Sequence, residues 1–342
     1  MTRIFVTGTA GFIGFHLARL LLEEGHEVHG YDGVTDYYDV ALKRRRLELL
    51  TEHDGFSFTE AMLEDFDAVR SAASSFRPEA IVHLAAQAGV RYSLENPRAY
   101  VDSNVIGTFN VMEVAREQSV RHLLMASTSS VYGANEEMPF DERQKVDTPL
   151  TIYAATKRAN EAMGHAWAHL HDLPVTMFRF FTVYGPWGRP DMAIFKFAEA
   201  MAKGEPIDVY NRGEMHRDFT YVGDLVRAIA LLIDAAPVRP ADGIVPEGDS
   251  LSPVAPYRVV NIGNSEKVRL DSFIEALEDA MGVEAMRNLM PMQTGDVPAT
   301  WADANLLRHL TGYAPATDHR DGVRRFVEWW RDWRGWNGPA AD

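Results

Sequence analysis

Short apolar runs alternate with amphipathic segments along the first half of the chain. The runs, which are rich in β-branched and aromatic residues, cover positions 4–7, 27–31, 56–59, 80–85 and 122–126. Apolar residues recur every three or four positions over 15–24, 66–75 and 108–118, which predicts helices. Repeated alternation of strand and helix is typical of a parallel, doubly wound sheet covered by helices. We therefore predict an α/β, Rossmann-type fold.

The second half continues this pattern less regularly. Strands are predicted at 175–181 and 258–262, and helices at 195–203 and 225–235. Connections become irregular after about residue 182, so we predict one domain over 1–181, with later contributions to its sheet, and a smaller lobe over 182–342. Residues 237–256, rich in Pro, Gly, Asp and Ser, are predicted to be a surface loop. The four tryptophans within 323–336 predict a terminal helix that packs onto the body.

Composition narrows the classes of function. The 342 residues include no cysteine, which removes thiolate metal sites and cysteine nucleophiles. The net charge of −15 disfavours binding to nucleic acid. The first residues have no secretory signal pattern, and the sequence has no apolar run of 18 residues, so we expect a cytoplasmic protein without a membrane span.

The first predicted strand leads into a glycine-rich turn, GTAGFIG at 8–14, and then into a helix. Glycines in this order allow a tight turn, close approach of the backbone to a pyrophosphate, and close packing of helix on strand. The helix N-terminus favours the negative phosphates. Asp32, at the end of the second strand, is placed to bind a ribose diol and to repel a 2′-phosphate, so we predict NAD rather than NADP. The predicted contacts are Gly8, Gly11, Phe12, Ile13, Gly14 and Asp32.

Tyr153 and Lys157 lie four residues apart at the start of a helical pattern that extends to about residue 170. One helical turn places them on the same face. Oxidation of a carbinol carbon removes a hydride and the hydroxyl proton, and a tyrosine whose pKa is lowered by a nearby ammonium suits that proton transfer. We predict Tyr153 as the general base. Lys157 is predicted to lower the pKa of Tyr153 and to hydrogen-bond the nicotinamide ribose.

Three stretches together resemble the extended short-chain dehydrogenase/reductase family: TGTAGFIG at 7–14, ASTSSVYG at 126–133 and YAATK at 153–157. This resemblance covers nearly the whole chain. Three further stretches, DYYD at 36–39, FTVYGPWGRPDMA at 181–193 and RDFTY at 217–221, are similar to the UDP-glucuronate 4-epimerase branch. The resemblance implies a UDP-sugar substrate, a role in polysaccharide biosynthesis, and a homodimer formed through the helix after Gly89 and the helix that bears Tyr153.

The resemblance also assigns site residues. Thr128 matches the family's catalytic Ser/Thr. The nicotinamide side is implied to be lined by His83, Leu84, Ala85, Ala86 and Gln87. Asn104 matches a structural asparagine near the active site, and Leu63 matches an adenine-side leucine that here follows Met62 instead of an acidic residue. The implied contacts to the UDP-sugar are Arg91, Thr128, Ser129, Ser130, Thr182, Arg189, Tyr210, Arg217 (the main diphosphate contact), Gln293 (where an arginine often stands) and Asp296 (on the uridine ribose).

The residues beside Thr128 decide the fate of the 4-keto sugar that the resemblance implies. Sugar dehydratases of the family carry an Asp-Glu pair there, and UDP-glucuronate decarboxylases carry a glutamate just before the valine. This chain has Ser129 and Ser130, so we predict return of the hydride to the opposite face, which is 4-epimerisation. Hydroxyls of Thr128, Ser129, Ser130 and Thr182, with Arg189, are predicted to hold the uronate carboxylate.

Other interpretations stay open at this point. The enzymatic alternatives are a UDP-glucuronate decarboxylase and a UDP-glucose/UDP-galactose 4-epimerase, and the non-enzymatic alternative is an NAD-binding sensor or scaffold. His165, His169, His171 and Asp172 have a spacing that suits a metal, but a helix end is the favoured interpretation and no metal site is predicted. The basic run at 43–46 is predicted to be a solvated helix face without a site.

Overall fold

The computed structural model describes residues 1–292 and 297–338. Within them, seven parallel strands form one sheet in the order β11-β6-β5-β4-β1-β2-β3. These strands are β1 (Arg3–Thr7), β2 (Glu27–Asp32), β3 (Phe56–Glu60), β4 (Ala80–His83), β5 (His122–Ala126), β6 (Val175–Phe180) and β11 (Tyr257–Ile262). The doubly wound α/β fold predicted from the sequence is confirmed.

Shorter strands build small sheets above the carboxyl edge of the large one. They are β7 (Thr182–Tyr184), β8 (Ile207–Tyr210), β9 (His216–Arg217), β10 (Phe219–Tyr221), β12 (Val268–Arg269), β13 (Arg287–Met290) and β14 (Ala299–Thr300). The strand expected over 175–181 is confirmed as β6, which ends one residue earlier, at Phe180. The chain then continues as β7, which pairs with β10 instead of with the large sheet.

Helices cover both faces of the large sheet and support the small ones. In the described residues they are α1 (Phe12–Glu23), α2 (Val40–Thr51), α3 (Phe66–Phe76), α4 (Tyr92–Glu95), α5 (Pro97–Tyr100), α6 (Thr108–Glu117), α7 (Ile152–His171), α8 (Ala193–Lys203), α9 (Val222–Ile233), α10 (Leu270–Met281), α11 (Asn305–Thr311) and α12 (His319–Arg334). A π-helical turn, Val101–Gly107, joins α5 to α6. None of these helices is both long and apolar enough to cross a membrane.

Five hydrophobic clusters form among the described residues, and three of them are large. One lies between the sheet and α1 with α9, and a second lies between the sheet and α3 with α6. The third joins α8, α10 and α12 beneath the small sheets. Trp330 of α12 is 1% exposed in this third core, which confirms the packing expected of the terminal tryptophans. Burial of each large apolar side chain contributes about 1.5–3 kcal/mol relative to exposure.

Two groups of polar residues make contacts that the sequence does not predict, although the histidines lie toward the end of α7 as expected. His165 and His169 bond Ser252 and the Val254 carbonyl at 2.8 Å each, so these histidines hold the loop that follows α9. The basic run of α2 is only half solvated, because Lys43 and Arg46 are 5% and 0% exposed. The expectation of a solvated face is therefore wrong for those two residues.

Candidate active site

A large cavity of about 1750 Å³ opens at the carboxyl ends of the large sheet. This is where ligands bind in doubly wound folds, since the neighbouring connections diverge to opposite faces between β1 and β4. The described site residues that line it are Gly8, Gly11, Phe12, Ile13, Gly14, Asp32, Leu63, Leu84, Ala85, Ala86, Gln87, Arg91, Thr128, Ser129, Ser130, Tyr153, Lys157, Thr182, Arg189, Tyr210 and Arg217.

The turn after β1 has room for backbone but not for side chains. A Cβ on Gly14 would lie 2.0 Å from the Gly8 carbonyl oxygen, and a Cβ on Gly8 would lie 2.8 Å from the Ala85 nitrogen. Gly11 caps α1 without a side-chain hydrogen bond, so the first amides of the helix stay available to a ligand. A bare helix N-terminus in a glycine turn at the cavity wall fits a dinucleotide pyrophosphate.

The ends of β1 and β4 are joined by Thr7, whose hydroxyl accepts hydrogen bonds from the amides of Leu84 and Ala85 at 3.1 Å each. Its hydroxyl also lies 2.8 Å from Nδ1 of buried His83. This fixes the chain after β4 against the glycine turn. His83 stands behind the wall and does not line the cavity with its successors.

Asp32 ends β2 at the cavity wall. Its carboxylate accepts hydrogen bonds from the amides of Ala10 at 3.0 Å and Val34 at 2.8 Å. Burial raises the pKa of this carboxyl, while those two amides and Lys43 oppose the rise. A carboxylate so anchored suits the two hydroxyls of a ribose and repels a phosphate in the same place.

Thr151 caps the N-terminus of α7, and Tyr153 and Lys157 near that end of the helix line the cavity. Burial raises the pKa of Tyr153, and a hydrogen bond with Thr128 and the charge of Arg189 oppose that rise. We expected Lys157 to lower this pKa, but in the chain alone the burial of the phenol dominates. Lys157 instead donates to the Ala126 carbonyl at 2.9 Å, and burial lowers its own pKa to about 8.

This buried lysine gives a stability prediction. Because the pKa of Lys157 is about 8 in the folded chain and 10.5 ordinarily, the unfolded chain binds more protons between these values. Stability from this residue therefore rises with pH across that window, and below pH 8 the buried ammonium costs its full penalty. Lys157→Met should raise the Tm of the cofactor-free protein at pH 7 by about 2–5 °C. The gain should shrink toward pH 10, as thermal melts at several pH values would show.

Exposed Lys203 at the end of α8 offers the matched control. Lys203→Met should leave the pH dependence of Tm unchanged. A lower Tm for Lys157→Met at every pH would contradict the burial penalty.

Thr128 begins the 3₁₀ turn Ser129–Tyr132 and accepts a hydrogen bond from the Ser130 amide at 3.2 Å. The turn brings Thr128 beside Tyr153 and places both serines in the cavity wall. Beneath them, the Ser127 hydroxyl donates to Glu161 of α7 at 2.6 Å. Small hydroxyl side chains thus occupy the two positions after Thr128.

Arg189 is engaged by a carboxylate of the chain itself, which the sequence analysis did not anticipate. Its Nε donates to Asp191 at 3.0 Å and its Nη2 donates to the other oxygen at 2.5 Å. The Tyr37 hydroxyl donates to the same carboxylate at 3.2 Å. DYYD and the stretch after β7 therefore meet at the cavity, a contact that no local spacing reveals.

The remaining predicted residues either line the cavity, lie behind its wall, or fall outside the described residues. Arg91, Tyr210 and Arg217 line it. Arg91 stacks over the Tyr210 ring at 4.9 Å, and Arg217 in β9 donates to the His216 carbonyl at 2.9 Å. Asn104 is fully buried behind the wall, where it bonds the backbone of Gln87. Asn104 therefore supports Gln87 rather than lining the cavity. Two predicted contacts, Gln293 and Asp296, lie outside the described residues.

Comparison with known proteins agrees with this geometry. Residues 4–245 match the model of the NAD dependent epimerase/dehydratase family. The chain is 54% identical to the probable UDP-glucuronate 4-epimerase of Rhizobium meliloti (strain 1021), over 96% of each chain. It is 40% identical to UDP-glucuronate 4-epimerase 1 of Arabidopsis thaliana, over 98% of this chain and 78% of that one.

A solved structure is also similar over nearly the whole chain. The UDP-glucuronic acid 4-epimerase of Bacillus cereus, in complex with UDP-glucuronic acid and NAD, aligns with a TM-score of 0.85 at 28% identity, covering 97% of this chain and 99% of that one. The family resemblance inferred from the sequence is thereby confirmed. This chain belongs to the NAD dependent epimerase/dehydratase family.

Proposed function

We propose that this protein is an NAD-dependent isomerase that interconverts UDP-glucuronate and UDP-galacturonate by 4-epimerisation. The observation that carries the proposal is one cavity that joins a dinucleotide turn to Tyr153 and Thr128, with serines at the two positions that follow. The relatives in Rhizobium meliloti and Arabidopsis thaliana carry the same activity in their names. A cytoplasmic enzyme that supplies a uronate for polysaccharide biosynthesis is consistent with this substrate.

The glycine turn, Asp32 and Lys157 would hold NAD, which when bound supplies a hydride acceptor and donor at the sugar's carbon 4. Tyr153 takes the proton of the 4-hydroxyl as the C4–H bond breaks, and Thr128 orients the same oxygen. Burial disfavours the phenolate in the chain alone, and the positive nicotinamide of bound NAD would favour it. The 4-keto sugar then rotates in the cavity. Tyr153 returns the proton to the oxygen at carbon 4 when the hydride is returned to the opposite face of the ketone. The cycle has no net redox change.

The 4-keto uronate is a β-keto acid, so the site must also prevent loss of carbon dioxide. Hydroxyls of Thr128, Ser129, Ser130 and Thr182 hold the carboxylate together with Arg189, and keep the bond to it near the carbonyl plane. Decarboxylation needs that bond aligned with the carbonyl π system. Arg91, Tyr210, Arg217, Gln293 and Asp296 bind the UDP part from the lobe over 182–342 and its neighbouring loops.

Product analysis by NMR tests this function. Purified holoenzyme incubated with UDP-glucuronate should give UDP-galacturonate as the only new nucleotide sugar, and UDP-glucose should be a far poorer substrate. A pentose product would instead favour the decarboxylase, and faster turnover of UDP-glucose would favour the neutral-sugar epimerase. Inactivity toward all UDP-sugars despite bound NAD would favour the sensor or scaffold.

We also infer a homodimer. Val101 and Ile106 of the π-helical turn and Phe109 of α6 are 40–42% exposed, and Leu170 of α7 is 67% exposed. Phe109 contacts Trp167 of α7 at 5.5 Å, so these apolar side chains lie on adjoining helices. Ile106→Arg should shift the protein from dimer to monomer in light scattering. The control Leu289→Arg, at another exposed apolar residue, should leave the mass unchanged, and a dimer that survives Ile106→Arg would contradict this surface.

A further inference from the structure

Arg46 is a buried arginine on α2 for which the proposed chemistry has no use. It is 0% exposed, whereas its neighbours Arg44 and Arg45 point to solvent. A buried guanidinium carries a desolvation cost of several kcal/mol, and burial lowers its pKa accordingly. Such a cost needs a compensating set of contacts.

The contacts join two loops that are 177 residues apart in the chain. Nη1 of Arg46 donates to the carbonyl of Ala10 in the glycine turn at 2.8 Å and to the Tyr38 hydroxyl at 2.8 Å. Nη2 donates to the carbonyls of Trp187 at 2.5 Å and Gly188 at 3.2 Å. The planar guanidinium of Arg46 therefore links the glycine turn to the loop after β7. The single ammonium of a lysine would hold these two segments less rigidly.

The same loop is held from other sides. His16 of α1 bonds the Pro186 carbonyl at 2.8 Å. The ring of Trp187 packs against Phe15 at 5.6 Å and against Trp329 of α12 at 5.2 Å. Trp187 has φ 59°, a left-handed conformation that a non-glycine residue keeps only when its surroundings enforce it.

Arg189 follows immediately after the carbonyls that Arg46 holds. Arg189 lines the cavity, and Asp191 accepts hydrogen bonds both from Arg189 and from the Tyr37 hydroxyl. The backbone that carries Arg189 is thus set by Arg46, and its side chain by Asp191. Positioning within about 0.5 Å matters for such a charged contact.

We propose that Arg46 is a positioning residue, which locks the loop over 186–188 onto the glycine turn and thereby sets Arg189 for the uronate carboxylate. The preference for a uronate over a neutral sugar then depends on a residue that does not line the cavity. This proposal rests on the proposed role of Arg189. It implies that the glycine turn and Arg189 are held in a fixed relative position.

A double-mutant cycle tests the proposal by calorimetric binding to the holoenzyme, with Tyr153→Phe as background so that ligands stay unconverted. Arg46→Lys should weaken UDP-glucuronate binding about tenfold and leave UDP-glucose and UDP within about twofold. In an Arg189→Ala background, Arg46→Lys should change UDP-glucuronate binding by less than about twofold. The exposed neighbour gives the control, since Arg45→Lys should change nothing.

His16→Phe gives a second route that keeps Arg46, and it should weaken UDP-glucuronate selectively by about threefold. Equal losses of affinity for UDP, UDP-glucose and UDP-glucuronate would overturn the positioning role. So would a double variant whose loss of affinity equals the product of the losses from Arg46→Lys and Arg189→Ala. If Arg189→Ala itself left UDP-glucuronate binding unchanged, the carboxylate contact in the proposed function would fall, and the Arg46 proposal with it. A loss in Arg189→Ala without any in Arg46→Lys or His16→Phe would overturn the Arg46 proposal alone.

Discussion

Replacing Tyr153 with phenylalanine is expected to lower kcat for UDP-glucuronate by about 10³-fold or more, because it removes the phenolic oxygen that takes the proton of the 4-hydroxyl. Phenylalanine keeps the ring, which lies 6.0 Å from the Tyr100 ring, so packing at the start of α7 should persist. Steady-state assay of epimerisation measures the loss. Bound NAD content and the affinity for UDP-glucuronate should stay near those of the unchanged protein.

Tyr313→Phe is the matched control. The Tyr313 hydroxyl donates to Asp224 at 3.0 Å, away from the cavity, so its loss should leave kcat unchanged. Turnover of Tyr153→Phe within tenfold of the original, with intact NAD content, would show that another group carries the proton.

Gly14→Ala is expected to abolish NAD retention. The added methyl carbon would lie 2.0 Å from the Gly8 carbonyl oxygen and 3.0 Å from the Thr9 nitrogen, and these are backbone atoms that cannot move aside without opening the turn. Purified protein should therefore contain less than about a tenth of the NAD of the original and lack epimerase activity, because the pyrophosphate contacts are lost. Absorbance and quantitative release of the nucleotide measure the content.

Gly204→Ala separates this steric effect from a general cost of losing a glycine. Gly204 caps α8 with φ 67° and has open space where a Cβ would stand. Alanine there should cost about 1 kcal/mol of stability through backbone strain while NAD content and activity persist. Full NAD content in Gly14→Ala would contradict the proposed pyrophosphate cradle.

The sequence predicts most of the sheet because each buried parallel strand is a short apolar run. Strand β5 starts and ends where the pattern puts it, at His122 and Ala126. The glycine turn is equally local, since strand, turn and helix follow one another within fourteen residues. Tyr153 and Lys157 are predictable because four residues on a helix fix their common face.

What the sequence analysis missed depends on contacts between distant segments. Asp191 accepts hydrogen bonds from Arg189 and from Tyr37, so the loop after β2 meets the loop after β7. Burial of Arg46 had a partial signal, since it falls at helical spacing with Leu42 and Leu50, which are also buried. An arginine at a helix position otherwise spaced for apolar residues is a candidate for a buried guanidinium with several hydrogen bonds. Here the run of four basic residues at 43–46 hid this signal.

The fate of the hydrogen on carbon 4 tests whether this protein epimerises the sugar by removing and returning the same hydride. UDP-glucuronate carrying deuterium at carbon 4 is incubated with the holoenzyme in ordinary water, and NMR and mass spectrometry follow the label. We expect UDP-galacturonate that retains the deuterium at carbon 4, because the deuteride that is removed from carbon 4 is returned to it in the same site. A product that carries solvent hydrogen at carbon 4 would contradict the account.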